Sequence, residues 1–84
     1  MSKTHYVKIR RDYYLDIVQG KKRAAVRLDD RNYQIGDTVI KRVWENGKYT
    51  GESVIVVITY ILYNTPTFAP FLADYICFCF EVVT

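Results

Sequence analysis

Beyond Lys48 the sequence contains no lysine or arginine. All twelve basic residues fall in positions 1–48 against six acids there (Asp12, Asp16, Asp29, Asp30, Asp37 and Glu45), a formal charge of +6. Residues 49–84 carry only Glu52, Asp74 and Glu81, a formal −3. The net charge of +3 therefore understates how polarised the chain is. An anionic partner suits the basic half, provided folding gathers the cations in space.

Other absences narrow the field. There are two cysteines, Cys77 and Cys79, in "YICFCF". On an extended strand their Cα atoms lie roughly 6 to 7 Å apart with poorly directed Cβ vectors, so the spacing argues for packed thiols and against a bridge. With His5 as the single histidine, a zinc site lacks ligands, and no metal or cofactor is expected. The start "MSKTHY" has no apolar leader, and no run approaches the roughly 18 apolar residues needed to span a bilayer. A cytoplasmic protein that does not enter membranes is the expectation. No Gly-x-Ser-x-Gly elbow and no phosphate-loop motif occurs.

Half of the residues are apolar and eight are tyrosine, enough for one small core in a single domain over residues 1–84. "HYVKIR" alternates as a half-buried strand. "RDYYLDIVQG" changes to helical spacing, with Asp12 as the expected N-cap, Gln19 as the expected last residue and Gly20 as the stop. "RAAVRL" alternates again, placing Arg23, Ala25 and Arg27 on one face and Ala24, Val26 and Leu28 on the other. "DDRNYQIGD" reads as a loop and "TVIKRVWE" as a strand. The Asn-Gly of "NGKYTG" joins that strand to "ESVIVVITYILY", whose apolar residues of both parities predict a strand covered on two sides or bent around a small barrel. "NTPTFAPFLAD" breaks the pattern, and "YICFCFEVV" closes the chain as a strand. Five strands and a single helix leave too little helix to cover two sheet faces. The expected class is α+β, with a partly closed β-barrel of about five strands and the helix after the first strand.

"GKKRAAVR", residues 20–27, concentrates the charge. Lys21, Lys22 and Arg23 follow the helix, where cations meet the negative end of its dipole. Arg27 sits in mid-strand and needs either an acid, with Asp29, Asp30 and Asp37 nearby, or a cleft in which it receives phosphate bidentately. Tyr6, Tyr13, Tyr14, Tyr33, Trp44 and Tyr49 interleave with the cations, and bases stack on such rings, although most tyrosines of a small β-rich domain are packing residues.

The stretch resembles the Gly-x-Lys-x-x-Glu-x-Arg signature of the ASCH domain, the activating signal cointegrator homology group of PUA-like barrels. Gly20, Lys22 and Arg27 match it. The likeness extends to "DDRNYQIGD", with its closing Gly36-Asp37, and to "WENGKYTGESVIVVITYIL" as the hairpin, and is greatest to a small bacterial and phage branch. It implies a PUA-like barrel whose cleft, between helix and sheet and lined by the motif's Lys and Arg, binds RNA. One branch of relatives hydrolyses acetylated cytidine through Lys, Thr and Glu, and another is assigned ribonuclease activity. Lys22 corresponds to the hydrolase lysine. The position of the motif's Glu, and of that branch's Thr nucleophile, is Ala25, which can neither attack nor transfer a proton.

The leading expectation is an RNA-binding or other nucleic-acid-binding module. In it Lys22 and Arg27 contact phosphate, Lys21, Arg23 and Arg31 widen the basic rim, and Tyr33 stacks on a base. The alternative is a hydrolase of a modified nucleoside or of RNA with Lys22 as its reactive group. A third reading has the acidic second half docking on another protein.

Overall fold

A computed structural model of the protein describes residues 2–28, 31–63 and 75–83. Strand β1 (Thr4–Ile9) buries His5 and Val7 and exposes Tyr6 and Lys8, as its alternation requires. Helix α1 (Arg11–Val18) begins after one connecting residue, because the Arg10 carbonyl already accepts the Tyr14 N–H at 3.0 Å. Arg10 is therefore the N-cap residue, and Asp12, expected there, lies inside the first turn. From that place its carboxylate accepts the Tyr13 N–H and an Arg10 Nη2–H, each at 2.9 Å, beside the positive end of the helix dipole.

The helix ends one residue earlier than expected, with Gln19 as its C-cap. Lys21 N–H reaches the Asp16 carbonyl at 2.9 Å and Gly20 N–H the Ile17 carbonyl at 3.0 Å, with Gly20 at φ +78°. This is a Schellman closure, and it uses the left-handed conformation that glycine adopts without a Cβ clash.

Strand β2 (Ala24–Leu28) turns its Ala25 and Arg27 face inward and leaves Val26 and Leu28 exposed. Strands β3 (Thr38–Glu45) and β4 (Lys48–Tyr63) form the expected hairpin. Its two-residue turn has Asn46 at φ 54° and Gly47 at φ 80°, the pair of positive angles a type I′ turn needs. Strand β5 (Tyr75–Val82) buries Ile76, Phe78 and Phe80, while Cys77 and Cys79 are free thiols, half-buried on its opposite face. The segment "NTPTFAPFLAD" lies outside the described residues.

The five strands form one mixed sheet in the order β1-β3-β4-β5-β2, with β1 parallel to β3 and the other neighbours antiparallel. It curls into a half-barrel, and β4 explains how. Val54, Val56 and Ile58 face the core, the pairing with β5 slips between Ile58 and Tyr60, and the next buried residue is Ile61. One extra residue at Thr59 reverses the parity and bends the strand, as a β-bulge does. The two parities of apolar residues are thus the record of a bend. Helix α1 packs on β3 and β4, and its Ile17 belongs to the same buried cluster as Val39, Val54, Val56, Phe78 and Phe80.

The loop before β3 is tied down by Asp37, whose side chain is fully buried. Its carboxylate accepts the Lys3 N–H at 2.9 Å and the Gln34 N–H at 3.0 Å, and pairs with His5 Nε2 at 2.8 Å. Burial pushes the Asp37 pKa up, but the His5 bond and the two backbone donors together bring it below the ordinary carboxylate value.

Candidate functional site

The two edge strands β1 and β2 are joined in sequence by α1, and both border one open cleft. That cleft has a volume of about 380 Å³ and is lined by Lys8, Ile9 and Arg10 from β1 and its exit, Tyr13 of α1, Lys22, the β2 residues Ala25, Val26 and Arg27, and Lys41 of β3. Five of the lining residues are basic and none of the described ones is an acid, although Arg10 is paired at 2.9 Å with Asp12, which lies outside the lining. Residues far apart in the chain meet here because the curl of the sheet turns its two free edges toward each other.

Lys41 is the most unusual of them. It occupies the inward face of β3 between Val39 and Val43 and is 2 % exposed. Its Nζ lies 5.3 Å from the centroid of the Phe78 ring and 5.2 Å from that of Phe80, a cation–π arrangement. Burial lowers its pKa from 10.5 to about 8, and the positive charges of Arg27 and Lys22 press in the same direction. Arg27 is half-buried, its Nε has no hydrogen-bond partner among the described residues, and no ion pair engages it there. Of the acids expected to pair with it, Asp37 is committed to His5, and Asp29 and Asp30 lie outside the described residues.

Lys22 directs its Nζ to the Ala24 carbonyl at 2.8 Å and lies 5.1 Å from the centroid of the Tyr13 ring, with the Arg10 guanidinium at the same distance. Tyr13 is 43 % exposed, so one aromatic ring stands at the cleft rim with two cations over it. Lys8 lies on the exposed face of β1, and its Nζ sits 4.0 Å over Trp44, a residue outside the cleft lining.

The structure sorts the expected residues. Lys22 and Arg27 meet in the cleft. Arg23 turns away, donating from Nε to the Gly20 carbonyl at 3.3 Å, so it serves the helix end. Lys21 and Arg31 are exposed and do not line the cleft. Tyr33, expected to stack on a base, has no exposed surface: its ring packs between His5 and Phe78 at centroid distances of 4.6 and 5.3 Å. It is a core residue, and Tyr13 occupies the position at the cleft that Tyr33 was expected to hold. Lys41, Lys8 and Arg10 were not anticipated as cleft residues. The signal for Lys41 was present in "TVIKRVWE", where a lysine shares the parity of Val39 and Val43.

Residues 4–78 match the family described as "Domain of unknown function (DUF3850)". The chain belongs to the DUF3850 family. The match takes in every residue that lines the cleft. The chain is also 40 % identical over 76 residues to the "Uncharacterized 12.9 kDa protein in GpA 3'region" of Escherichia phage P2. That alignment covers 90 % of this chain and 66 % of the phage protein, so the DUF3850 chain spans just under two thirds of that relative's length. In this DUF3850 chain no described helix is long and apolar enough to cross a membrane.

Proposed function

We propose that this protein is an RNA-binding module that holds a nucleic-acid phosphate in the basic cleft, on a half-barrel of the PUA-like, ASCH type. The observation that carries the reading is the meeting of Lys22, Arg27 and Lys41 in one cavity with no acid among its described lining residues, bordered by Arg10, which is paired with Asp12, and by Lys8, whose Nζ lies over Trp44. A cation set of this kind, one member of it desolvated, is costly to the fold, and a bound anion offsets that cost. The ASCH likeness at Gly20, Lys22 and Arg27 supports the same reading, since two of those residues line the cleft. Tyr13 supplies the stacking surface.

The hydrolase alternative finds less support. Beyond the Tyr13 hydroxyl, the described lining offers amines and guanidiniums and neither a Ser or Thr hydroxyl nor a carboxylate for acyl or proton transfer, and Ala25 forms part of the wall.

The test is titration of labelled single-stranded and hairpin RNA at several salt concentrations. On single strands log affinity is expected to fall with log salt with a slope of about −0.7 for each phosphate neutralised. Lys22→Ala combined with Arg27→Ala is expected to flatten the slope and weaken binding. Affinity that ignores salt, or a double variant that binds as the parent does, refutes the reading. Incubation with acetylated cytidine beside a Lys22→Ala control decides the alternative, which falls if no product exceeds the control.

A further inference from the structure

We infer that the cleft is built for a phosphomonoester dianion carried by a single nucleotide, held by Lys41, Arg27 and Lys22 with its base against Tyr13. This deepens the RNA reading and rests on it for one source of the ligand, the terminal phosphate of a strand. The other source of the same chemistry is a free mononucleotide.

Three observations lead here. The first is size: about 380 Å³ lies near the lower end of small-molecule sites, roughly 300 to 1,000 Å³, and accommodates one nucleotide. The second is access. Lys41 lies on the inward face of β3 with 2 % of its surface exposed, so a phosphate must enter deeply to meet it. An internal phosphodiester leaves through both of its ester oxygens, and both arms of the strand would have to follow it in. An end group enters trailing one arm.

The third is the match of charge and donors. The Arg27 Nε–H is buried and without an acceptor among the described residues, and Lys22 spends one of its N–H groups on the Ala24 carbonyl. With the Lys41 ammonium these leave donors converging from β2, β3 and the segment before β2. A monoester presents three terminal oxygens and close to two negative charges to such a set, where a diester presents two oxygens and one charge. The greater charge also offsets more of the mutual repulsion among Lys41, Arg27 and Lys22. The Tyr13 ring stands half-exposed at the rim of the same cleft, where a base attached to that phosphate would meet it beside the Arg10 and Lys22 cations that lie over the ring.

The experiment compares one internally labelled short oligoribonucleotide with a 5′-phosphate, a 3′-phosphate or hydroxyls at both ends, and adds competition by nucleoside monophosphates. One phosphorylated form is expected to bind at least about tenfold more tightly than the hydroxyl form, as befits buried charged donors that otherwise lack an acceptor. Lys41→Met and Arg27→Gln, each confirmed as folded by circular dichroism and a cooperative melt, are expected to cut that preference to less than about twofold. Equal affinity for phosphorylated and hydroxyl ends overturns the inference and leaves RNA binding standing. Binding of mononucleotides without binding of RNA supports the inference with the free nucleotide as ligand, and overturns the RNA reading. Absence of both overturns both. A preference unchanged in the two variants overturns the roles given to Lys41 and Arg27.

Discussion

Replacing Lys41 with methionine is expected to make the protein more stable while it damages the cleft. In the unfolded chain a lysine titrates at 10.5, whereas burial, with Arg27 and Lys22 nearby, holds Lys41 at about 8. At about 1.4 kcal/mol for each pH unit, keeping the folded side chain charged at pH 7 costs about 3 kcal/mol. Methionine has similar length and a thioether that packs well against the Phe78 and Phe80 rings. Lys41→Met should therefore gain about 3 kcal/mol at pH 7.

The dependence on pH separates the charge from ordinary repacking. Between pH 8 and 10.5 the folded state has released the Lys41 proton and the unfolded state has not, so the unfolded state binds more protons and the parent's stability rises with pH. The advantage of Lys41→Met should be full below about pH 8 and should shrink by about 2 kcal/mol by pH 10. Urea denaturation of both proteins at pH 7, 8, 9 and 10 measures it, because other titrating groups cancel in the difference. A variant less stable than its parent at pH 7, or an advantage that stays level across the range, refutes the account of Lys41 as a charge held against its desolvation.

Further outcomes follow from the same geometry. Ligand affinity should decline above about pH 8 as Lys41 deprotonates among Arg27, Lys22, Lys8, Arg10 and the Tyr13 ring, and Lys41→Met should abolish that decline in a pH series of binding titrations. Gly20→Ala forces a Cβ into the φ +78° conformation of the Schellman closure and should cost about 1 to 2 kcal/mol by thermal melt, with weaker binding because Lys22 follows that turn directly. Asp37→Asn should destabilise by about 1 to 3 kcal/mol at neutral pH, since a buried acceptor of three hydrogen bonds loses its charge. The Asp37 pKa is lowered, so its contribution is present above the unfolded value of 3.8 and is lost as pH falls through the lower folded value. The variant should accordingly show a flatter acid limb in a pH–stability profile.

How much of this was legible beforehand varies by element. Alternation in "HYVKIR" and "TVIKRVWE" located two strands, and Asn46-Gly47 located the hairpin turn, because each is a local steric or burial rule. The helix start was misplaced at Asp12 because capping preference is a weaker force than the short connection from β1, which leaves Arg10 alone to open the helix. Tyr33 was misjudged because composition places a tyrosine near cations without saying whether its ring faces them or the core. In the fold it lies between His5 and Phe78.

The residues themselves determined the polar distribution of charge, the strand and helix periods, and the pairing of Lys22 with Arg27 within one short segment. Tertiary structure alone decided that β1 and β2, consecutive in the chain, become opposite edges of a curled sheet, and that Lys41 joins those two cations in the cleft between them. The physical reason is that a strand's period fixes which face a side chain takes, whereas the neighbour it meets depends on strand order and on the bend at Thr59, both of which arise from long-range pairing.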